Sequence, residues 1–223
     1  MGDVGPDAME DEGPVHEVAL APFFLAKHEM TLGQWIRVAG YDPGFFTGEG
    51  YDAGGVDRAL LPVDNVDWHE CSRTLRRVGL ALPTEAQWEY GARAGTRTTW
   101  WTGPDPAAVA GTMNLSERTG DDGYAFLAPA GATPPNPFGL HEVIGNVWEW
   151  CRDRYAPYEQ AIRPGDGERL PEDPPSRYRV IRGGGFRDPP ESARSGHRYF
   201  DVPEIVDGMG LRPARELQPP EAR

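Results

Sequence analysis

Glycine and proline punctuate this chain more heavily than any other feature: 28 Gly and 23 Pro stand among 223 residues, close to twice the usual share. Proline lacks a backbone donor and glycine favours turns, so long helices and wide sheets are excluded. The fold must be made of short elements joined by long, ordered connections. An apolar share of 39%, with 10% aromatics, still supplies a core, and the length suits one domain. The formal charge of −13 repels phosphate backbones and anionic leaflets, so neither nucleic acid nor a membrane surface is expected as a partner. The longest apolar stretch is about six residues, around Ala19 to Ala26, against the ~18 needed to span a bilayer.

Three helices are signalled by the same device, a capping box in which an N-cap side chain and the residue three positions on satisfy each other's amides. Thr31 with Gln34 opens a helix to Gly40, Asp67 with Glu70 opens Trp68 to Val78, and Thr84 with Gln87 opens Glu85 to Ala94, stopped by Gly95. On the second, Trp68, Cys71, Leu75 and Val78 share one apolar face. Val15 to Leu20 reads as an extended entry strand, and Val143 to Trp150 and Tyr178 to Arg182 as late strands, the last ended by Gly183-Gly184-Gly185. Tyr41 to Leu61 reads as a surface excursion, and loop dominates from Gly95 to Pro137. Residues 1–12 form an acidic segment without a leader-like apolar region, which makes the cytoplasm the default location. Residues 217–223 read as a flexible tail. Cys71 and Cys151 leave room for one disulfide, but two reduced, half-buried thiols are the expectation because nothing in the sequence marks an oxidising compartment.

The motifs Pro14-Val15-His16-Glu17-Val18, Lys27-His28-Glu29-Met30-Thr31 and Pro62-Val63-Asp64-Asn65-Val66-Asp67-Trp68 occur in that order. Leu82-Pro83-Thr84-Glu85-Ala86-Gln87-Trp88-Glu89-Tyr90 follows, then the Gly139 to Trp150 run ending Gly145-Asn146-Val147-Trp148-Glu149-Trp150. Arg182-Gly183-Gly184-Gly185-Phe186 and Gly210-Leu211-Arg212-Pro213-Ala214 close the series. Over residues 13–216 the sequence resembles the formylglycine-generating enzyme (sulfatase-modifying factor) family. The resemblance implies a C-type-lectin-related α+β fold, short helices on a twisted antiparallel sheet, with bound structural calcium. The same fold carries oxidases, part of the sulfoxide synthases and retroelement-diversified receptors.

In that family a cysteine pair after the glycine turn holds copper(I), a soft ion suited to thiolates. Mapped onto this sequence, the family's serine falls on Gly185 and its two cysteines on Asp188 and Ala193. Copper is therefore not expected, and iron, which the sulfoxide-synthase relatives hold with three histidines, is not expected either. The five histidines, His16, His28, His69, His141 and His197, show no metal-site spacing. The resemblance places a first calcium site on the side chains of Asn114 and Asp122 and the carbonyls of Leu115 and Tyr124. It places a second on Glu142, Glu149 and the carbonyls of Gly145 and Val147, with Glu142 standing where a shorter side chain is usual.

The segment from Phe186 to Asp207 mixes aromatic and charged residues on a loop braced by glycines, a setting in which recognition often resides. Phe186, Arg187, Asp188 and Glu191 are candidate contacts from its first half, and His197, Arg198, Tyr199, Phe200 and Asp201 from its second. Arg194 and Arg212 fall at positions the family uses structurally. Tryptophan is read mainly as core, with one of the adjacent Trp100 and Trp101 turned toward a pocket. The expected function is a non-catalytic, calcium-stabilised domain that binds a protein or small molecule through residues 186–207. The alternative is a metal-dependent oxidase or sulfoxide-synthase-like enzyme with a rearranged site or one completed by additional domains or subunits.

Overall fold

In the computed structural model, the described residues are all except 4, 6, 47–54, 110–112, 117–122, 125, 171–173 and 218–223. The three capping boxes close as read. Thr31, Asp67 and Thr84 each accept the amide three residues on, while Gln34, Glu70 and Gln87 reach back to the N-cap amide. They open helices α1 (Leu32–Ala39), α2 (Trp68–Arg76) and α3 (Glu85–Arg93). Helix α2 ends two residues early, at Arg76, so Val78 lies beyond it and is exposed, whereas Cys71 and Leu75 are fully buried.

The strands depart further from the sequence reading. Val15 to Leu20 forms no strand, only a bridge from Leu20 to Gly165. The first strand, β1 (Phe23–Leu25), pairs antiparallel with the last, β6 (Ala214–Glu216). Val143 to Val147 is not strand either, because Glu142, Gly145 and Asn146 all take positive φ, a conformation no ladder accommodates. Strand β2 begins at Trp148 and runs to Arg154. The main sheet has the order β4 (Tyr199–Asp201), β3 (Arg179–Arg182), β2, β5 (Met209–Gly210). Its β2–β3 and β3–β4 pairs are antiparallel, but β2–β5 is parallel, so the sheet is mixed.

Side-chain alternation divides the core. Trp150 and Ile181 are cross-strand partners and face a cluster built with Trp35, Leu75 and Leu211. Cys151 and Val180 point to the other side, into a cluster with Trp88, Trp100, Val143 and Ile144. The sheet is thus buried on both faces. A third cluster gathers Phe46, Leu61, Leu127, Val147 and Phe186, so the excursion from Tyr41 returns an anchor to the interior at Phe46, which is 4% exposed. Among the described residues, three indole nitrogens donate to distant carbonyls, Trp150 to Val66 at 3.0 Å, Trp68 to Cys151 at 2.9 Å and Trp100 to Pro190 at 3.1 Å. Trp101 is half-buried against the second cluster, while Trp100 is inside it. Both cysteines are free and fully buried, not half-buried, and they lie in different clusters.

The described residues among 1–12, set apart by composition, pack onto the rest of the chain. Gly2 donates to Glu89 at 2.9 Å, and Glu12 is fully buried. Gly145, with φ +80°, lets the chain pass so close to Asn114 that any Cβ would overlap the Asn114 carbonyl. Gly145→Ala is expected to cost about 3 kcal/mol from strained φ and overpacking together, read as a lowered midpoint in urea unfolding.

Candidate functional site

The candidate loop leaves β3 through Gly183 and Gly184, at φ +98° and +73°, and a side chain at 184 would press on the backbone of Ala193. Asp188 then closes a tight turn: its amide donates to the Gly185 carbonyl at 2.9 Å, and its Oδ2 accepts from the Gly185 amide at 2.9 Å. The same oxygen accepts from Trp148 Nε1 at 2.8 Å. Phe186 turns inward to the third cluster, and Ala193 is buried in the second. Arg187 stays exposed over the rings of Phe46 and Phe186, at 4.8 and 5.1 Å, with Asp207 3.5 Å away. Glu191 is exposed on the one-turn helix Pro190–Ala193.

Beyond that turn, charged side chains serve as anchors. Arg194 is bound by both oxygens of Glu12, at 2.7 and 2.6 Å, and His197 Nδ1 lies 3.3 Å from the same carboxylate. Arg198 makes a two-armed pair with Glu85, at 2.7 and 2.9 Å, and also donates to the carbonyls of Asp11 and Ala156. His197 and Arg198 therefore stand inside the protein, 4% and 1% exposed. Tyr199 is half exposed, with its ring 5.6 Å from that of Trp148 and 6.4 Å from that of His197. Phe200 wedges between Tyr155 and Tyr178, at 4.1 and 5.1 Å. Asp201 accepts from the Val202 amide. Of the nine predicted contacts, Arg187, Asp188, Glu191, Tyr199, Phe200 and Asp201 reach the surface in full or part, and Phe186, His197 and Arg198 do not. Trp148 joins this surface without having been singled out for it; its period-two match with Trp150 reads as core. Two concavities, of about 830 and 610 Å³, lie elsewhere, lined by residues such as His16 and Arg93 in one and Phe24 and Phe138 in the other.

The predicted calcium donors fall into two neighbourhoods. Asn114 is buried, and its amide nitrogen donates to Phe126 O at 2.7 Å and Asn146 Oδ1 at 2.8 Å. Its oxygen is the end those bonds do not use. Leu115 is buried, Tyr124 is half-buried, and Asp122 lies outside the described residues. In the second set the carboxylates are already engaged. Both oxygens of Glu149 accept from Arg212, and one also accepts from Trp88 Nε1 at 2.7 Å. Glu142 Oε1 accepts from Gly131 N, Thr133 N and Thr133 Oγ1. Gly145 and Val147 are buried beside them. Sequence reasoning missed Glu29, which receives Asn146 Nδ2 at 2.6 Å and is fully buried. Burial, with the charges of Glu149 and Glu142 nearby, pushes its carboxyl well above the ordinary range.

Both thiols are likewise pushed up, first by burial, which removes thiolate character. Asp188 and Ala193, the positions matched above by sequence resemblance to a cysteine pair, carry no sulfur, and the two sulfurs of Cys71 and Cys151 sit in separate core clusters. This donor set does not fit a thiolate-bound copper ion.

The family model described as "Sulfatase-modifying factor enzyme 1-like domain" matches residues 1–217. The formylglycine-generating enzyme of Thermomonospora curvata is 30% identical over 239 residues, covering 83% of this chain and 78% of that protein. Among solved structures, PvdO from Pseudomonas aeruginosa superposes with a TM-score of 0.75 at 31% identity, covering 97% of this chain and 90% of that one. Treponema denticola variable protein 1 superposes with a TM-score of 0.76 at 24% identity, over 90% of this chain and 86% of that one, a likeness of fold.

Glu12 ties the loop to the opposite end of the chain, and it does so as an anion. Burial alone would raise its pKa, but the hydrogen bonds from His197 and Arg194 and the Arg194 charge hold it at about 2, below its ordinary 4.5. A carboxyl depressed in the folded state adds stability above its unfolded pKa and loses it as the pH falls. Unfolding free energy is expected to decline between pH 4.5 and about 2, and Glu12→Gln to flatten that decline while costing about 3 kcal/mol near neutrality, as measured by denaturant titrations across pH.

Proposed function

We propose, from the premise that this chain belongs to the sulfatase-modifying factor enzyme 1-like domain family, that it is a recognition domain which does not carry the family's thiol–copper chemistry. The observation that carries this reading is Asp188. Its carboxylate is locked by Trp148 Nε1 and the Gly185 amide, and Ala193 packs behind it on Gly184. At the two positions matched to the family's thiol pair this sequence carries a carboxylate and a methyl group. Around it the loop offers Arg187, Glu191, Tyr199 and Asp201 on a frame held by buried ion pairs. Charged and aromatic groups presented from a rigid base suit a protein partner, with Tyr199 and Arg187 as the residue types that concentrate binding energy. The double substitution Arg187→Ala with Tyr199→Ala is expected to abolish capture of the native partner while moving the melting temperature by less than about 2 °C, since both side chains are half exposed. Dioxygen consumption and conversion of a cysteine peptide by the copper(I)-loaded protein would overturn the reading in favour of the oxidase alternative.

Calcium enters this proposal at the first donor set alone. There Asn114 and the Leu115 and Tyr124 carbonyls are hard oxygen donors of the kind calcium takes, with Asp122 lying outside the described residues, and an ion would steady a long connection. In the second set both oxygens of Glu149 are taken by Arg212 and Trp88 and Oε1 of Glu142 by Gly131 and Thr133, leaving Glu142 Oε2, which faces His28, so the set does not offer calcium the open carboxylates it takes. Chelation by EGTA is expected to lower the melting temperature, with calcium restoring it, and Asn114→Ala to remove the calcium response. A calcium response unchanged in Asn114→Ala would move the ion elsewhere.

A further inference from the structure

We propose that His28, His141 and Glu142 bind a divalent transition-metal ion of the zinc class. One donor atom from each of the three side chains lies within 4.8 Å of the others. The His141 amide donates to the Lys27 carbonyl at 2.9 Å, which sets the two backbones side by side, and the imidazole rings stand 4.7 Å apart. His28 Nδ1 is 3.4 Å from Glu142 Oε2. That is long for a hydrogen bond and close to the roughly 3.3 Å between two donors on a tetrahedral ion with bonds of about 2.0 Å.

Two of the three ligands are oriented from behind. His141 Nδ1 sits 2.7 Å from the Thr133 carbonyl, a contact that places the proton on Nδ1 and leaves the lone pair on Nε2. Glu142 Oε1 is held by Gly131 and Thr133, so Oε2 is the oxygen presented to the histidines. Thr133 thus positions both, as backing groups do around metal centres. Two imidazoles and one carboxylate suit zinc, cobalt or nickel and not calcium, which takes oxygen. The three leave a coordination position for water or a ligand, and the His28 side chain, 32% exposed, marks the side open to solvent. His28 and His141 belong to neither calcium donor set, Glu142 belongs only to the second, which the proposed function leaves without calcium, and none of the three lies on the 186–207 surface, so this site stands or falls apart from the proposed function.

The test is cobalt(II) titration of the metal-stripped full chain, in excess calcium, followed by its visible absorption, with zinc competition for affinity. One equivalent of four-coordinate cobalt, displaced by zinc with Kd at or below about 1 μM, is expected. His28→Gln and His141→Gln should each weaken zinc by at least about 100-fold, and His69→Gln, at a half-exposed histidine elsewhere, should leave it unchanged. Should His141→Gln fail to fold, His28→Gln decides alone, because its ring is partly in solvent. Absence of stoichiometric cobalt, displacement by millimolar calcium, or affinity unmoved by His28→Gln overturns the proposal.

Discussion

Buried guanidinium–carboxylate pairs hold this molecule in shape. Glu12–Arg194, Glu85–Arg198, Glu89–Arg182 and Glu149–Arg212 each join segments far apart in the chain, and every one of these side chains is nearly or fully buried. With helices of eight or nine residues and strands of seven or fewer, local hydrogen bonding cannot define where the long connections go. Forming such a pair adds little net stability, but separating it strands a charge in a dry interior. The pairs therefore act as keys: a misplaced loop leaves an arginine unmatched.

Helix α3 shows how the keys reach the loop. Its buried face carries Glu85 and Glu89, one turn apart, where an ordinary amphipathic helix would be apolar. Arg182, at the end of β3, binds Glu89 at 2.7 Å, and Arg198, just before β4, binds Glu85. The helix thus grips both ends of the connection that carries the candidate surface. Asp153 completes the group by accepting the Glu85 amide at 2.8 Å, and burial followed by the Glu85 charge pushes its pKa up to about 7.

What the sequence discloses and what it conceals follow from range. Capping boxes are three residues long, and all three helix starts were legible from them. The pairing of β1 with β6 joins opposite ends of the chain, and no local pattern near Phe23 announces Ala214. Hydrophobic periodicity assigns Glu12, Glu85 and Arg198 to the surface, because burial of a charge depends on a partner the pattern cannot see. The same holds for His28 and His141, each unremarkable in its own segment and adjacent only after folding. Positive φ at Glu142 and Asn146 is a further blind spot, since non-glycine residues give little warning of it.

The loop alternates between residues that hold and residues that show. Arg194 and Arg198 are fastened inside, while Arg187, Glu191 and Tyr199 project outward, Arg187 and Tyr199 with one side resting on neighbouring rings. Variation can therefore accumulate at the projecting positions without taxing the architecture. A combinatorial library confined to them would sample new specificities on an unaltered scaffold, which makes the domain a natural starting point for engineered affinity reagents.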